Sequence, residues 1–267
     1  KNRFGGRIRF FVSGGAPLAR EIAEFFHAAD ILVLEGYGLT ESSAASFVNR
    51  YDNFKFGTVG PPVPGTQVKI AEDGEILIKG GGVMQGYYNL PEATAEALDP
   101  DGWLHTGDIG EVDEGGRLKI TDRKKDIIVT AGGKNVAPQY VENLIKSKVP
   151  LVSQIVMLGD RRPFCIALVT VNPDTAGKWA TDNGLAFKEY AELSQLPALE
   201  KAIWGEIAQV NQHLATYEQI KRIAILPRDF SQESGELTPK MSIKRKVVEK
   251  NYAELIESFY KDTVVAM

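Results

Sequence analysis

Asp108, closing Thr106-Gly107-Asp108, and Arg123 are separated by a strand, a turn and a strand, so a hairpin through residues 111–121 would return the guanidinium toward the carboxylate. A carboxylate accepts from two vicinal hydroxyls and a guanidinium offers a rigid fork of donors, which together suit a ribose diol. The same two residues also fit a surface salt bridge, which would contribute little. Upstream, Gly36-Tyr37-Gly38-Leu39-Thr40-Glu41 sets an aromatic ring between two glycines, with a hydroxyl and a carboxylate close behind. Tyr37 suits stacking on a base and Thr40 a bond to phosphate. Glu41 suits Mg²⁺, which takes carboxylates together with substrate phosphates. A turn ahead of a buried segment would need no ligand at all.

Three further segments carry polar chemistry. The glycines of residues 13–17, with Gly15 and Ala16 at the centre, would let a flat ligand approach the backbone, although a tight βα turn reads the same way. Gly132, Gly133 and Lys134 combine close backbone approach with a cation, in a region richer in Lys and Arg than in Asp and Glu. That face would favour an anionic co-substrate such as a nucleotide-bearing thiol, or simply be a solvated basic surface. The tail from Pro239 offers Lys240, Lys244, Arg245 and Lys246, one of which could stabilise charge developing on an oxygen. His27, His105 and His213 are scattered without metal-ligand spacing, and G-x-S-x-G is absent, which argues against a zinc site and a serine hydrolase.

The elements that must position these residues fall into three textures. Residues 8–12, 18–29 and 31–34 read as a βαβ unit, with Pro17 in the first helical turn and both strands apolar enough for burial on two faces. Ligands bind open parallel sheets beyond the carboxyl ends of the strands, so loops 13–17 and 35–41 should lie side by side. From Gly57 turn signals recur every few residues around strands at 68–70, 75–79 and 84–88, as in a small antiparallel β subdomain. After Arg123, residues 127–130 continue the hairpin and Pro138 opens a helix carrying Tyr140, Val141, Leu144 and Ile145. Strands follow at 154–158, 164–171 and 222–226. Ile203, Ile207, Val210, Leu214 and Tyr217 share a helical stripe, and residues 247–260 form a last helix. The expected fold is therefore α/β and α+β: the end of a parallel α/β subdomain (1–56), a β subdomain (57–122) and, after a hinge at the basic cluster, a C-terminal α+β domain (123–267).

A net charge of −4 argues against nucleic acid as a partner, since that needs a basic surface. A single cysteine, Cys165, excludes an internal disulfide and reads as a packed thiol, which fits the cytoplasm. No stretch is apolar for long enough to cross a bilayer, while peripheral membrane contact stays open. A first residue Lys1 followed within a few residues by a strand reads as a piece of a longer chain.

Taken in order, SGGAPL from Ser13, GYGLTE from Gly36, GTVGPPVPG from Gly57, GWLHTGD from Gly102, GRLKITDRKKDIIVTAGGKNVAP from Gly116 and LTPKMSIKRK from Leu237 resemble the adenylate-forming superfamily of acyl-CoA synthetases, C-terminal half. The texture is nearest its long-chain fatty acid–CoA ligase branch. The resemblance implies that a fatty carboxylate attacks the α-phosphate of ATP, giving acyl-AMP and pyrophosphate, and that the CoA thiol then displaces AMP. Gly15 and Ala16 would line the adenine or acyl-carboxyl pocket, with Gly36 and Gly38 flanking Tyr37 on adenine. Thr40 would meet phosphate, Glu41 would hold Mg²⁺, and Asp108 and Arg123 would bind the ribose. Lys125 would be the pivot of a rotating C-terminal domain, and Gly132, Gly133 and Lys134 would border the pantetheine channel.

Two departures qualify the resemblance. The family's phosphate loop is absent from these 267 residues, so the chain alone is expected not to form acyl-adenylate. In the tail, Ser242 stands where the adenylation lysine is expected, leaving Lys244 and Lys240 as rival candidates. Two other functions remain open: an adenylating relative that loads a carrier protein, and a non-catalytic nucleotide-binding module.

Overall fold

The computed structural model describes residues 2–261; Lys1 and the end of the predicted C-terminal domain, 262–267, lie outside the described residues. The chain is mixed α/β and divides into two compact units, Lys1–Lys125 and Asp126–Met267.

In the first unit, β1 (Phe11–Ser13) pairs in parallel with β2 (Val33–Leu39), and α1 (Arg20–Ala28) connects them. Pro17 lies ahead of the helix rather than in its first turn, because Ala19 is still extended at φ −62°, ψ 132°. The apolar run around β1 is not buried on both faces: Val12 is 63% exposed, since β1 has one strand neighbour and its outer face is bare among the described residues. β2 continues through Tyr37 to Leu39, turns over a 3₁₀ segment, Thr40–Ser42, and returns antiparallel as β3 (Ala44–Val48). The predicted ligand loop at 35–41 is thus mostly strand. Hydrogen bonding between β2 and β3 overrides the loop character of its glycines.

A second sheet in this unit runs β4 (Thr66–Ile70), β5 (Glu75–Gly80), β6 (Leu104–Val112), β7 (Leu118–Arg123), all antiparallel. The strand expected at 84–88 does not form: Met84 N–H is taken by Glu41 O, and Asn89 adopts φ +55° just before α2 (Pro91–Ala97). β6 takes its place beside β5. Phe47, Val59, Ile76, Ile78 and Leu118 form the core, with Tyr37 packed against them.

The second unit opens with a two-stranded hairpin, β8 (Ile128–Val129) and β9 (Asn135–Val136), so residues 127–130 start a new pair instead of extending β7. Then come α3 (Pro138–Lys148), β10 (Val152–Leu158), β11 (Cys165–Val171), α4 (Pro173–Asp182), α5 (Tyr190–Ser194), α6 (Pro197–Asn211) and β12 (Ile220–Ile225). β11 is central, antiparallel to β10 and parallel to β12, and all seven of its residues are buried. Such continuous burial explains why its sequence lacks alternation. Cys165 sits in this strand, where burial pushes its thiol up to about 11. Ile203, Ile207 and Val210 of α6 do face the core, but the helix ends at Asn211 and Tyr217 is 42% exposed. The last helical stretch is two pieces, α7 (Arg245–Asn251) and α8 (Ala253–Ser258). Tyr252 breaks it at φ −114°, ψ 22°, where its ring meets Phe230 edge-on.

Candidate functional site

The turn between β6 and β7 is fixed by Asp113, whose Oδ1 accepts from Gly115 and Arg117 N–H at 2.9 Å each. That turn sets the register as far as Gly110 opposite Ile120; a one-residue shift in β7 at Thr121 then brings Asp108 opposite Arg123 rather than Asp122. Arg123 Nε lies 3.7 Å from Asp108 Oδ1, a loose ion pair with the guanidinium half exposed. Across the unit, β2 presents Tyr37, whose hydroxyl donates to Asp108 Oδ2 at 2.6 Å.

The electrostatics of this trio follow from burial. Asp108 is only 8% exposed, and burial raises its carboxyl above the ordinary value; the Tyr37 hydrogen bond and the Arg123 charge pull it back in part. Burial, followed by the Asp108 charge, pushes the Tyr37 phenol far up, so it remains a protonated donor. A carboxylate has about four lone-pair sites, so one tyrosine and one distant guanidinium leave Asp108 with acceptor capacity for hydroxyls.

The glycines lie close by. A Cβ on Gly14 would stand 3.1 Å from Gly36 O, which places loop 13–17, with Gly15 at φ +77° and exposed Ala16, against β2. Gly36 has Phe47 O 3.4 Å from its Cβ position, and at Gly38 that position is already taken by the Ala44 carbonyl. Thr40 is exposed on the 3₁₀ turn, and Glu41 Oε1 accepts from the Tyr87 hydroxyl at 2.9 Å. Lys125 is the last residue of this unit, exposed within the 3₁₀ segment Lys124–Asp126.

The remaining candidates belong to the second unit. Gly132 and Gly133 form the tip of the β8–β9 hairpin, with Gly133 at φ +71°. Thr130 N–H meets Lys134 O and Lys134 N–H meets Thr130 Oγ1, closing the turn at 3.0 and 3.2 Å. Lys240 sits in a turn closed by Thr238 N–H to Ser242 O at 2.8 Å and flanked by the Leu237–Ile243 bridge. Met241 holds φ +62° there. Lys244 immediately precedes α7, at its N-cap, and its N–H donates to Glu236 O at 2.7 Å. Glu236 is fully buried; hydrogen bonds from Arg228, Ser234 and Asn251 outweigh that burial and hold its carboxyl down to about 2.

Two regions match models of one family: residues 1–88 match the AMP-binding enzyme model, and residues 125–264 match the AMP-binding enzyme C-terminal domain. The chain belongs to the AMP-binding enzyme family. It is 46% identical over 257 residues to the long-chain-fatty-acid–CoA ligase FadD15 of Mycobacterium bovis, an alignment covering 96% of this chain and 42% of that protein. The chain thus spans about two fifths of the length of that relative. The adenylation domain of a carboxylate reductase from Mycobacterium chelonae superposes with a TM-score of 0.77 at 28% identity, over 96% of this chain and 39% of that one. The corresponding domain from Segniliparus rugosus, solved with AMP and a carboxylic acid, gives 0.77 at 27% identity, over 97% and 40%.

Within this family member, several residues at the site escape motif reading. Tyr87 holds Glu41, Thr106 Oγ1 accepts from Asp108 N–H, and Glu75 takes both the Gly107 N–H and the Lys124 ammonium. One signal is visible for Glu75: a charge opening the run Glu75-Ile76-Leu77-Ile78, whose side chains are otherwise apolar and buried.

Proposed function

We propose that these residues belong to an AMP-forming long-chain fatty acid–CoA ligase, in which Asp108 and Arg123 hold the ribose of the nucleotide. The observation that carries the reading is Asp108 itself: a nearly buried carboxylate, fixed by Tyr37 and set opposite Arg123, with acceptor capacity left for a diol. A structural ion pair would need neither the burial nor the tyrosine. Similarity to a fatty-acid–CoA ligase over almost the whole chain supplies the substrate class, with ATP and CoA as co-substrates.

Glu41 fits a Mg²⁺ ion held mainly by water and phosphate oxygens, since among the described residues no three His, Cys, Asp or Glu side chains converge as a metal cage. Such an ion would screen phosphate charge. Gly15, Ala16, Gly36, Tyr37, Gly38 and Thr40 are assigned to the nucleotide and acyl carboxyl, Gly132, Gly133 and Lys134 to CoA, and Lys125 to the pivot. Lys244, with Lys240 as its rival, is assigned to adenylation. The cytoplasm, with peripheral membrane contact, remains the proposed location. No helix among the described residues is long and apolar enough to cross a membrane.

The test is a ligase of the relatives' full length carrying these residues, offered a panel of fatty acids with ATP and CoA. Acyl-CoA and AMP should form in equal amounts, and Asp108→Ala should cut kcat/KM at least 10-fold. Absence of fatty-acid-dependent AMP release across the panel would refute the reading. Acyl transfer to a carrier protein but not to CoA would favour the second reading, which the superposition on carboxylate reductase adenylation domains recommends.

A further inference from the structure

Glu75 is a carboxylate with 4% exposure at the start of β5, where a charge needs partners to be tolerated. It has three. Oε1 accepts from Gly107 N–H at 2.9 Å, and Oε2 lies 3.0 Å from His105 Nδ1 and 2.9 Å from Lys124 Nζ. Burial alone would raise this carboxyl, but the hydrogen bonds from His105, Lys124 and Gly107 outweigh it and keep it below the ordinary range. Lys124 Nζ also reaches Asp73 Oδ2 at 2.7 Å, and Asp73 Oδ1 accepts from Glu75 N–H at 3.1 Å.

These bonds converge on an irregularity in the sheet. Glu75 pairs with Ile109 and Leu77 with His105, so three residues of β5 oppose five of β6. The surplus forms a bulge through Thr106, Gly107 and Asp108, and bulges re-aim side chains. Gly107 takes φ +69° there. Its N–H goes to Glu75, while Asp108 N–H goes to Thr106 Oγ1 at 3.1 Å and that hydroxyl donates to Ile76 O at 2.7 Å. The carboxylate of Glu75 therefore replaces a missing ladder acceptor one peptide before Asp108. Through Lys124 it also fixes the residue after Arg123.

We infer that Glu75 is a positioning residue: it holds the Gly107 peptide and, through the bulge, aims the Asp108 carboxylate at the ligand. The inference rests on the reading of Asp108 as a ribose acceptor and adds what sets its direction. Its consequence is selective. Loss of Glu75 should weaken recognition of the ribose hydroxyls and spare contacts to base and phosphate, because a site shaped for hydroxyls discriminates only while its acceptors are held in place.

The experiment is an NMR titration of the 267-residue chain with AMP and with 2′,3′-dideoxy-AMP, comparing the ratio of the two dissociation constants. The native chain should prefer AMP, Asp108→Ala should bring the ratio to about one, Glu75→Ala should lower it about 5-fold or more, and Glu75→Gln, which keeps an acceptor for Gly107 N–H, should restore most of it. A Glu75→Ala protein that retains the native ratio while Asp108→Ala loses it overturns the inference and leaves the ribose reading standing. A native ratio of one overturns the ribose reading and, with it, the inference. Should Glu75→Ala fail to fold, amide exchange of the native chain decides: Gly107 N–H protected as well as its β5–β6 ladder neighbours supports the inference, and exchange at an open-loop rate overturns it.

Discussion

The Tyr37 hydroxyl donates to Asp108 Oδ2 at 2.6 Å, tying the strand that follows α1 to the sheet that carries the candidate ribose acceptor. One hydrogen bond thus links residues 71 positions apart, and it does so between a phenol that stays protonated and a carboxylate that is nearly buried. Hydrogen bonds to a charged acceptor contribute about 1.5–3 kcal/mol, enough to fix the rotamer of Asp108.

Tyr37→Phe should therefore raise the Asp108 carboxyl further. Burial already lifts it, and the tyrosine is the largest of the influences holding it down, so removing that donor favours the neutral form. Following the Asp108 carboxyl carbon by NMR against pH should show a higher midpoint in the variant than in the native chain, with Asp113 unmoved as an internal control. An unchanged midpoint would show that Tyr37 packs beside Asp108 without stabilising its charge.

Much of this pairing is legible in the amino-acid order. The short strands on either side of residues 114–116 leave almost one register, which brings Asp108 to the Asp122–Arg123 end of β7, and the one-residue shift beyond Gly110 that selects Arg123 is not marked locally. The buried strand through Cys165 and the helix from Pro138 also follow from apolar runs and helical spacing. Other parts depend on contacts distant in the chain. Nothing local marks Gly36 to Leu39 as a strand, because its pairing partner β3 supplies the order that two glycines withhold. Glu75 gains meaning only when β6 and Lys124 arrive beside it from 30 and 49 residues away. The exposure of β1 and the break at Tyr252 likewise follow from what does or does not pack against them.

Two glycines assigned to ligand contact should respond very differently to the same substitution. A Cβ at Gly38 falls on the Ala44 carbonyl, so Gly38→Ala must push β3 away from β2 and should cost about 3 kcal/mol or more. At Gly132 the nearest atom to the new Cβ would be Thr130 Oγ1 at 3.9 Å, and Gly132→Ala should stay within about 0.5 kcal/mol of the native chain. Urea unfolding of both variants checks this. Equal effects would mean that the β2–β3 hairpin does not pack as closely as its register requires.

Glu35, just before Gly36 on β2, gives the first unit a pH dependence with a defined sign. Burial raises its carboxyl to about 7, against smaller lowering by backbone N–H bonds from Leu18 and Gly57. A carboxyl whose folded pKa lies above its unfolded one stabilises the fold below the unfolded value, and that contribution is lost as pH rises through the folded value. The chain should lose stability between about pH 4.5 and pH 7, by on the order of 3 kcal/mol in total. Glu35→Gln keeps a carbonyl acceptor for the two backbone donors and cannot ionise, so it should match the native chain near pH 5 and exceed it at pH 8. Urea midpoints at the two pH values are the measurement. A variant that tracks the native chain at both would show that Glu35 ionises in the folded state without penalty, and that Leu18 and Gly57 enclose its carboxyl less tightly than its burial requires.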